Sequence, residues 1–297
     1  MAAPRPVGDR AFAIDAAAIG AVSAGIVVAA DRLAVMSALV PAVVAIRFAL
    51  WLTVPPGERT GAGRELVLVA GCTAVGAFND WSSVVRYRVY DYEVPAYFPE
   101  LSTIPLWMLL YWGLILRFLV TLFRWRRLDP APAASDRVGG ARSPVLRVAV
   151  LLAMVVVTRQ LVYRFYDDPV LSWLPFAIAL LLYGLLLRPD RHERRIALLF
   201  AVGGPLVEIA YIQLGGLHSY RLGWLAGVPL WIALWWVLAA LIWRDLSLRI
   251  VAIGGMRRGR RRTGDTSGGS APAPFPSHAR SPRRCRRSPR AARPSAS

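Results

Sequence analysis

The chain of 297 residues has no lysine: all 36 of its basic positions are arginine, set against only 18 acids. Cysteine and histidine are nearly as scarce, at two and three residues. Cys72 and Cys285 fit neither a disulfide framework nor a zinc-ligand spacing. With the histidines scattered as well, no metal or other cofactor is expected. Walker, His-Glu-x-x-His, Gly-x-Ser-x-Gly, paired Cys-x-x-Cys and dinucleotide-binding glycine patterns are all missing. Their absence argues against an ATPase, a zinc protease of that type and a flavin enzyme. A formal net charge of +18 could point to nucleic acid. However, twelve arginines against the single acid Asp265 follow Met256 and carry +11 of that charge. This Arg-, Ser-, Pro- and Gly-rich stretch cannot build a core. It is expected to be a disordered tail drawn to anionic lipid headgroups, with nucleic acid an unlikely partner on these grounds.

Apolar residues are what the chain has in excess, at 56% against roughly 45–50% in ordinary domains. They gather in eight blocks, about 11–30, 33–54, 65–85, 101–123, 145–163, 170–188, 195–214 and 225–248. Each approaches the roughly 20 residues that cross a hydrocarbon layer. The expected fold is all-α: a polytopic helical membrane protein with about eight transmembrane helices in a lipid bilayer. The first block follows Arg5 and Arg10, yet it is longer than a signal-peptide core and contains Asp15, so it reads as a retained span. Arginine accumulates in 55–64, 124–144, 188–195 and the terminal stretch. With eight spans these segments share the N-terminal side, which predicts a cell-membrane protein with both termini cytoplasmic.

The chain also resembles itself. Ile104-Pro105-Leu106-Trp107 with Trp112 recurs as Val228-Pro229-Leu230-Trp231 with Trp236. Ala74-Val75-Gly76 resembles Ala201-Val202-Gly203, and at an offset of 128 Asp80 faces Glu208, Tyr90 faces His218 and Tyr92 faces Tyr220. Four helices per unit keep both copies in one orientation, giving two parallel four-helix repeats. The expected domains are a first repeat over 1–128, a basic linker over 129–144, a second repeat over 145–255 and the tail over 256–297.

Glu208 is the leading candidate for chemistry, because an acid at membrane depth is costly and faces a cavity or a partner. Gly203-Gly204-Pro205 just before it is expected to break the helix around a pocket. The bland alternative is a structural pair with an arginine such as Arg159. Asp80 is its expected partner across the repeat interface, although a position near the span's end also suits a solvated carboxylate. If the two acids lie close together, one becomes a neutral acid able to donate a proton. His218 is a candidate proton relay. Tyr90, Tyr92, Tyr211, Tyr220, Trp107 and Trp231 are candidate substrate-lining residues that stabilise a cation through their ring faces, the alternative being an interfacial aromatic belt. Arg47 and Arg117 are expected to snorkel to the nearer surface.

Glu208, His218-Ser219-Tyr220 and Gly227-Val228-Pro229-Leu230-Trp231 with Trp235-Trp236 resemble a pattern in the carotenoid hydratase family of membrane proteins, the bisanhydrobacterioruberin hydratase type. The resemblance covers residues 200–240, and the loop Leu214-Gly215-Gly216-Leu217 departs from the family in lacking Pro-Phe-Gly. It implies protonation of an alkene in an isoprenoid lipid. Three functions follow from the residues and the resemblance together: an enzyme hydrating or cyclising a membrane-dissolved isoprenoid, a transporter of a small solute or lipid, and a non-catalytic membrane scaffold.

Overall fold

The computed structural model describes residues 4–56 and 58–264. Among these, eight α-helices follow one another: α1 (Asp9–Ala29), α2 (Leu33–Leu52), α3 (Ala62–Asp80), α4 (Leu106–Leu122), α5 (Pro144–Phe165), α6 (Leu174–Leu182), α7 (Arg191–Gln213) and α8 (Leu230–Gly264). π-Helical turns, Trp81–Arg86 and Tyr183–Leu187, extend α3 and α6. Four helices, α1, α2, α5 and α7, are long and apolar enough to cross a membrane. Val28, Ile46, Val156, Leu198, Val202 and Leu206 stand exposed along them, and apolar faces of this extent require lipid or another apolar surface. Contacts gather the chain into a unit that ends at Arg257. α8 continues past the expected boundary at 255, and the expected tail from residue 265 on lies outside the described residues.

Helix ends follow local chemistry. α4 starts at Leu106 rather than near 101 because Pro105 is extended, at φ −72° and ψ 134°, and a proline there forfeits no helical hydrogen bond. α7 opens on a capping box: the Asp190 carboxylate accepts from the Glu193 amide at 2.7 Å, and the Asp190 amide donates to Glu193 Oε2 at 2.9 Å. The break expected at Gly203-Gly204-Pro205 is absent, since α7 runs through Pro205. Gly204 serves close packing instead: a Cβ there would lie 2.5 Å from Cγ of Trp236.

The chain is mostly helical, as expected, with one addition. Two short antiparallel ladders join the helices: β1 (Tyr90–Tyr92) with β4 (His218–Tyr220), and β2 (Arg137–Val138) with β3 (Ala141–Arg142). The second lies within the expected linker 129–144, which is tied to the helices by hydrogen bonds. The Gly139 amide donates to the Leu186 carbonyl at 2.6 Å, and Asp129 and Asp136 accept from Arg244 and Arg249 at 2.9 and 3.0 Å.

At the end of the bundle away from β1 and β4, charge is buried in two networks. In the first, each of four helices supplies one group. Arg47 (α2) contacts Asp15 (α1) and Glu65 (α3) at 2.6 Å each, and Arg117 (α4) reaches Glu65 at 2.8 Å and Asp15 at 3.5 Å. Arg47 and Arg117 therefore do not snorkel. Acids on neighbouring helices hold them inside, at 3% and 4% exposure. In the second, Arg147 (α5) contacts Asp245 (α8) at 2.6 Å and Glu193 (α7) at 3.1 Å. Removing one partner from such a buried pair costs about 3–5 kcal/mol, so these networks lock the helices together. Further along, the hydroxyls of Ser23 (α1), Tyr111 (α4) and Tyr211 (α7) form a triangle. Ser23 lies 2.8 Å from Tyr111 and 2.7 Å from Tyr211, and the two phenols bond directly.

Candidate functional site

The opposite end of the bundle carries two carboxylates in matching settings. Asp80 ends α3 and Glu208 lies near the end of α7; both are buried. One helical turn before each stands a glycine on the same face. A Cβ on Gly76 would lie 2.4 Å from Cβ of Trp112, and Gly204 stands in the same way against Trp236. The packing glycines are thus 128 residues apart, like the carboxylates, whereas the Ala-Val-Gly likeness in the sequence is shifted by one position.

Ten and twelve residues after each carboxylate come two inward-facing rings. Tyr90 donates to Asp80 Oδ1 at 2.5 Å and Tyr92 to Oδ2 at 2.8 Å. His218 Nε2 lies 3.0 Å from Glu208 Oε2, the Tyr220 hydroxyl donates to the same oxygen at 3.4 Å, and the Trp236 indole N–H donates to Oε1 at 3.1 Å. The strand that carries each pair alternates, so Asp91 and Ser219 face outward while the rings face in. β1 and β4 pair as Tyr90 with Tyr220, Asp91 with Ser219 and Tyr92 with His218. At the offset of 128 this register is self-complementary about Asp91 and Ser219, as a twofold axis through the ladder requires.

The carboxylates do not hydrogen-bond each other. An aromatic layer stands between their settings, with ring centroids 5.4 Å apart for Tyr90 and Tyr220, 5.7 Å for Tyr90 and His218 and 6.1 Å for Tyr92 and His218. Burial, reinforced by the carboxylates, pushes the Tyr90, Tyr92 and Tyr220 phenols well above their ordinary range. They therefore remain donors at any working pH.

The two settings differ in access. Asp80 is 0% exposed and both its oxygens are occupied, which excludes the solvated carboxylate. Glu208 lines a cavity of about 40 Å³ together with Tyr220, Arg159, Tyr163, Trp231 and Trp235. A water needs roughly 10–15 Å³ by this kind of measure, so the space suits a few waters and not an isoprenoid chain. A second, apolar cavity of about 480 Å³ lies between α5 and α6, with Met154, Thr158, Ile178 and Leu182 in its wall. None of the ladder residues belongs to it.

Of the residues singled out in the sequence, Glu208, Asp80, His218, Tyr90, Tyr92 and Tyr220 come together here. Trp231 joins them edge-on to Tyr220, with centroids 5.7 Å apart. Tyr211 turns away into the hydroxyl triangle with Ser23 and Tyr111. Trp107 is core, 2% exposed and outside the cavity lining. Arg159 does not pair with Glu208; it bonds Asn79, Ser83 and Tyr163. The sequence reading missed the Trp236 donor, although its alignment with Trp112 marked the position, and it missed Asn79, Ser83 and Tyr163, which no pattern announced. Among the described residues no group of three His, Cys, Asp or Glu side chains converges to hold a metal ion. No protein-family model, curated protein or solved structure matches the chain.

Proposed function

We propose that the chain is a membrane enzyme that protonates an alkene of a bilayer-dissolved isoprenoid lipid, hydrating or cyclising it, with Glu208 and His218 as the proton-transfer pair. We further infer a frame of eight spans in two parallel four-helix repeats with both termini cytoplasmic, which sets the ladder end at the outer leaflet. The self-complementary ladder, the paired glycine–tryptophan contacts and the matched ring donors, all repeating at or near an offset of 128, support the duplication. α3, α4, α6 and α8 would complete the spans alongside the four long apolar helices.

One observation carries the chemical reading: the Glu208 carboxylate borders a cavity walled by the rings of Tyr220, Trp231 and Trp235, and the His218 imidazole backs it at 3.0 Å from outside the cavity lining. Such a pair stores one proton and can return to either state. In the proposed reaction that proton is delivered to one alkene carbon, and the π electrons form the new C–H bond. The cation left on the neighbouring carbon faces aromatic rings, whose electron-rich faces stabilise positive charge. Either a water oxygen then adds and releases a proton, or a second alkene closes a ring and an adjacent carbon releases one. In both cases Glu208 and His218 recover the proton. Asp80 shares the frame but not the cavity, so in this reading it anchors the ladder. Because the cavity holds only a few waters, the alkene enters by displacement of the Trp231 and Trp235 indoles. The resemblance of residues 200–240 to carotenoid hydratases points to the same substrate class.

The test is turnover of polyprenyl and carotenoid substrates by the purified chain in lipid nanodiscs. Glu208→Gln is expected to lower the rate by about 10²–10⁴-fold, the usual contribution of general acid–base catalysis. An unchanged rate would remove Glu208 from the mechanism.

A further inference from the structure

We infer that Arg159 is a recognition site for a lipid phosphate group, and that the isoprenoid acted on at Glu208 therefore carries a phosphorylated head. The naming of the substrate rests on the proposed function of the Glu208 cavity; the binding of phosphate does not.

Arg159 lies six residues before the end of α5, about 9 Å inside it along the axis. Arg159 is half-buried. Of the arginines fully buried in the bundle, Arg47, Arg117, Arg147, Arg244 and Arg249 each contact a carboxylate, and Arg124 donates to the Arg5 carbonyl. Arg159 contacts only neutral groups: the Asn79 side-chain oxygen, Ser83 Oγ at 3.0 Å and the Tyr163 hydroxyl at 2.7 Å. Its positive charge is thus solvated but not balanced. Two of its three partners are hydroxyls, which turn readily to donate to an arriving oxyanion.

The guanidinium is also held in place from one side. It stacks over the Tyr163 ring, 4.8 Å from its centroid. Tyr163 in turn stacks on Tyr87, with centroids 4.0 Å apart and planes 9° from parallel. Arg86, exposed, closes the column 5.2 Å from the Tyr87 centroid. Among the described residues neither cation of this column makes an ion pair. The guanidinium nitrogens now donate to Tyr163, Asn79 and Ser83, so a phosphate binds by taking over these donors, which a planar guanidinium can present to it as two parallel hydrogen bonds. Because Arg159 and Tyr163 line the cavity that Glu208 borders, a head bound there leaves the adjoining isoprene unit beside the acid. A hydrocarbon substrate offers this cation nothing.

The experiment follows tryptophan fluorescence of the full chain in zwitterionic nanodiscs, since Trp231 and Trp235 line the same cavity. Geranylgeranyl monophosphate, geranylgeraniol, phosphatidylglycerol and inorganic phosphate are titrated separately and in competition. Saturable quenching by the prenyl phosphate is expected at a concentration at least about tenfold below that of the alcohol. Arg159→Gln should raise the half-saturation point by about tenfold or more, with Arg159→Lys recovering only part of the loss. Displacement of the prenyl phosphate by phosphatidylglycerol assigns the site to a bilayer headgroup; resistance to it assigns the site to the substrate. Equal binding of alcohol and phosphate, or unchanged binding in a folded Arg159→Gln, overturns the inference. Should that variant not fold, the exposed Arg86→Gln serves in its place, with a weakening of a few-fold expected and an unchanged half-saturation point counting against the site. Glu208→Gln should bind the prenyl phosphate normally, so loss of turnover there and loss of selectivity at Arg159 fail independently.

Discussion

Around Asp80, two phenols occupy both carboxylate oxygens, and the group is sealed. Around Glu208, an imidazole stands where the other half has Tyr90, an indole reaches the second oxygen, and a cavity opens against the carboxylate. The two settings share local features: a glycine packed on a tryptophan one turn before each carboxylate and a strand that begins ten residues after it. The difference is a change of one ring and one methylene. A phenol held far above its ordinary pKa by burial keeps its proton, whereas an imidazole can accept, carry and return one. On the proposed duplication, one copy keeps the architecture and the other is free to do chemistry.

The sharpest way to break this division is to neutralise each acid in turn. Glu208→Gln should cost the about 10²–10⁴-fold in turnover given above while leaving the fold intact. Asp80→Asn replaces one acceptor oxygen with a donor, so that Tyr90 or Tyr92 loses its acceptor. It should lower stability by about 1–3 kcal/mol with turnover retained in the folded fraction. Thermal unfolding and initial rates on the same preparations separate the two effects. Equal loss of turnover in a folded Asp80→Asn would mean that both halves take part.

A smaller effect tests whether the halves are built alike. Gly76→Ala and Gly204→Ala would each set a methyl group about 2.4–2.5 Å from a tryptophan side chain, closer than carbon atoms approach. Each should cost about 1–3 kcal/mol, the usual range for overpacking. Gly204→Ala should also lower turnover more than Gly76→Ala, because Trp236 donates to Glu208, whereas Trp112 lines the cavity without a hydrogen bond to that acid. A Gly76→Ala variant that loses activity without losing stability would contradict that assignment.

Much of the helical frame was legible because membrane helices advertise themselves by apolar length: each of the eight blocks overlaps an α-helix among the described residues, and four of these helices are long and apolar enough to cross a membrane. The paired acids, rings and tryptophans were visible for a different reason: rare residue types at a constant offset stand out from an apolar background. What stayed hidden depends on contact rather than on pattern. Arg47 and Arg117 look like interfacial cations until Asp15 and Glu65, distant in sequence, are seen against them. Pro205 reads as a helix breaker, yet a single missing amide donor is tolerated inside a continuous helix. Arg159 suggests a partner for Glu208 from the sequence, and only the contacts seen in the fold give it Asn79 at the end of α3 and Ser83 in the following π-helical turn instead. The four-residue drift between the ladder offset of 128 and the tryptophan offset of 124 shows where the loops differ in length, a feature that the sequence contained and whose meaning required the ladder register.

The smallest difference lies in the phenols. Tyr92 meets Asp80 at 2.8 Å and Tyr220 meets Glu208 at 3.4 Å, so only the first is a hydrogen bond of ordinary length. Tyr92→Phe should therefore cost about 0.5–1.5 kcal/mol, and Tyr220→Phe should fall at or below the lower end of that range. The pH dependence supplies an independent reading. Because burial raises these phenol pKa values above those of the unfolded chain, the folded state binds more protons than the unfolded state above about pH 10. Their contribution is complete below that point and declines as pH rises toward the folded values. Phenolate absorbance followed through an alkaline titration should show these groups ionising only together with unfolding, and Tyr92→Phe should make the alkaline decline shallower. If both phenols ionise before the helical signal falls, the ladder opens locally, and the tight setting argued for Asp80 would be no tighter than that of Glu208.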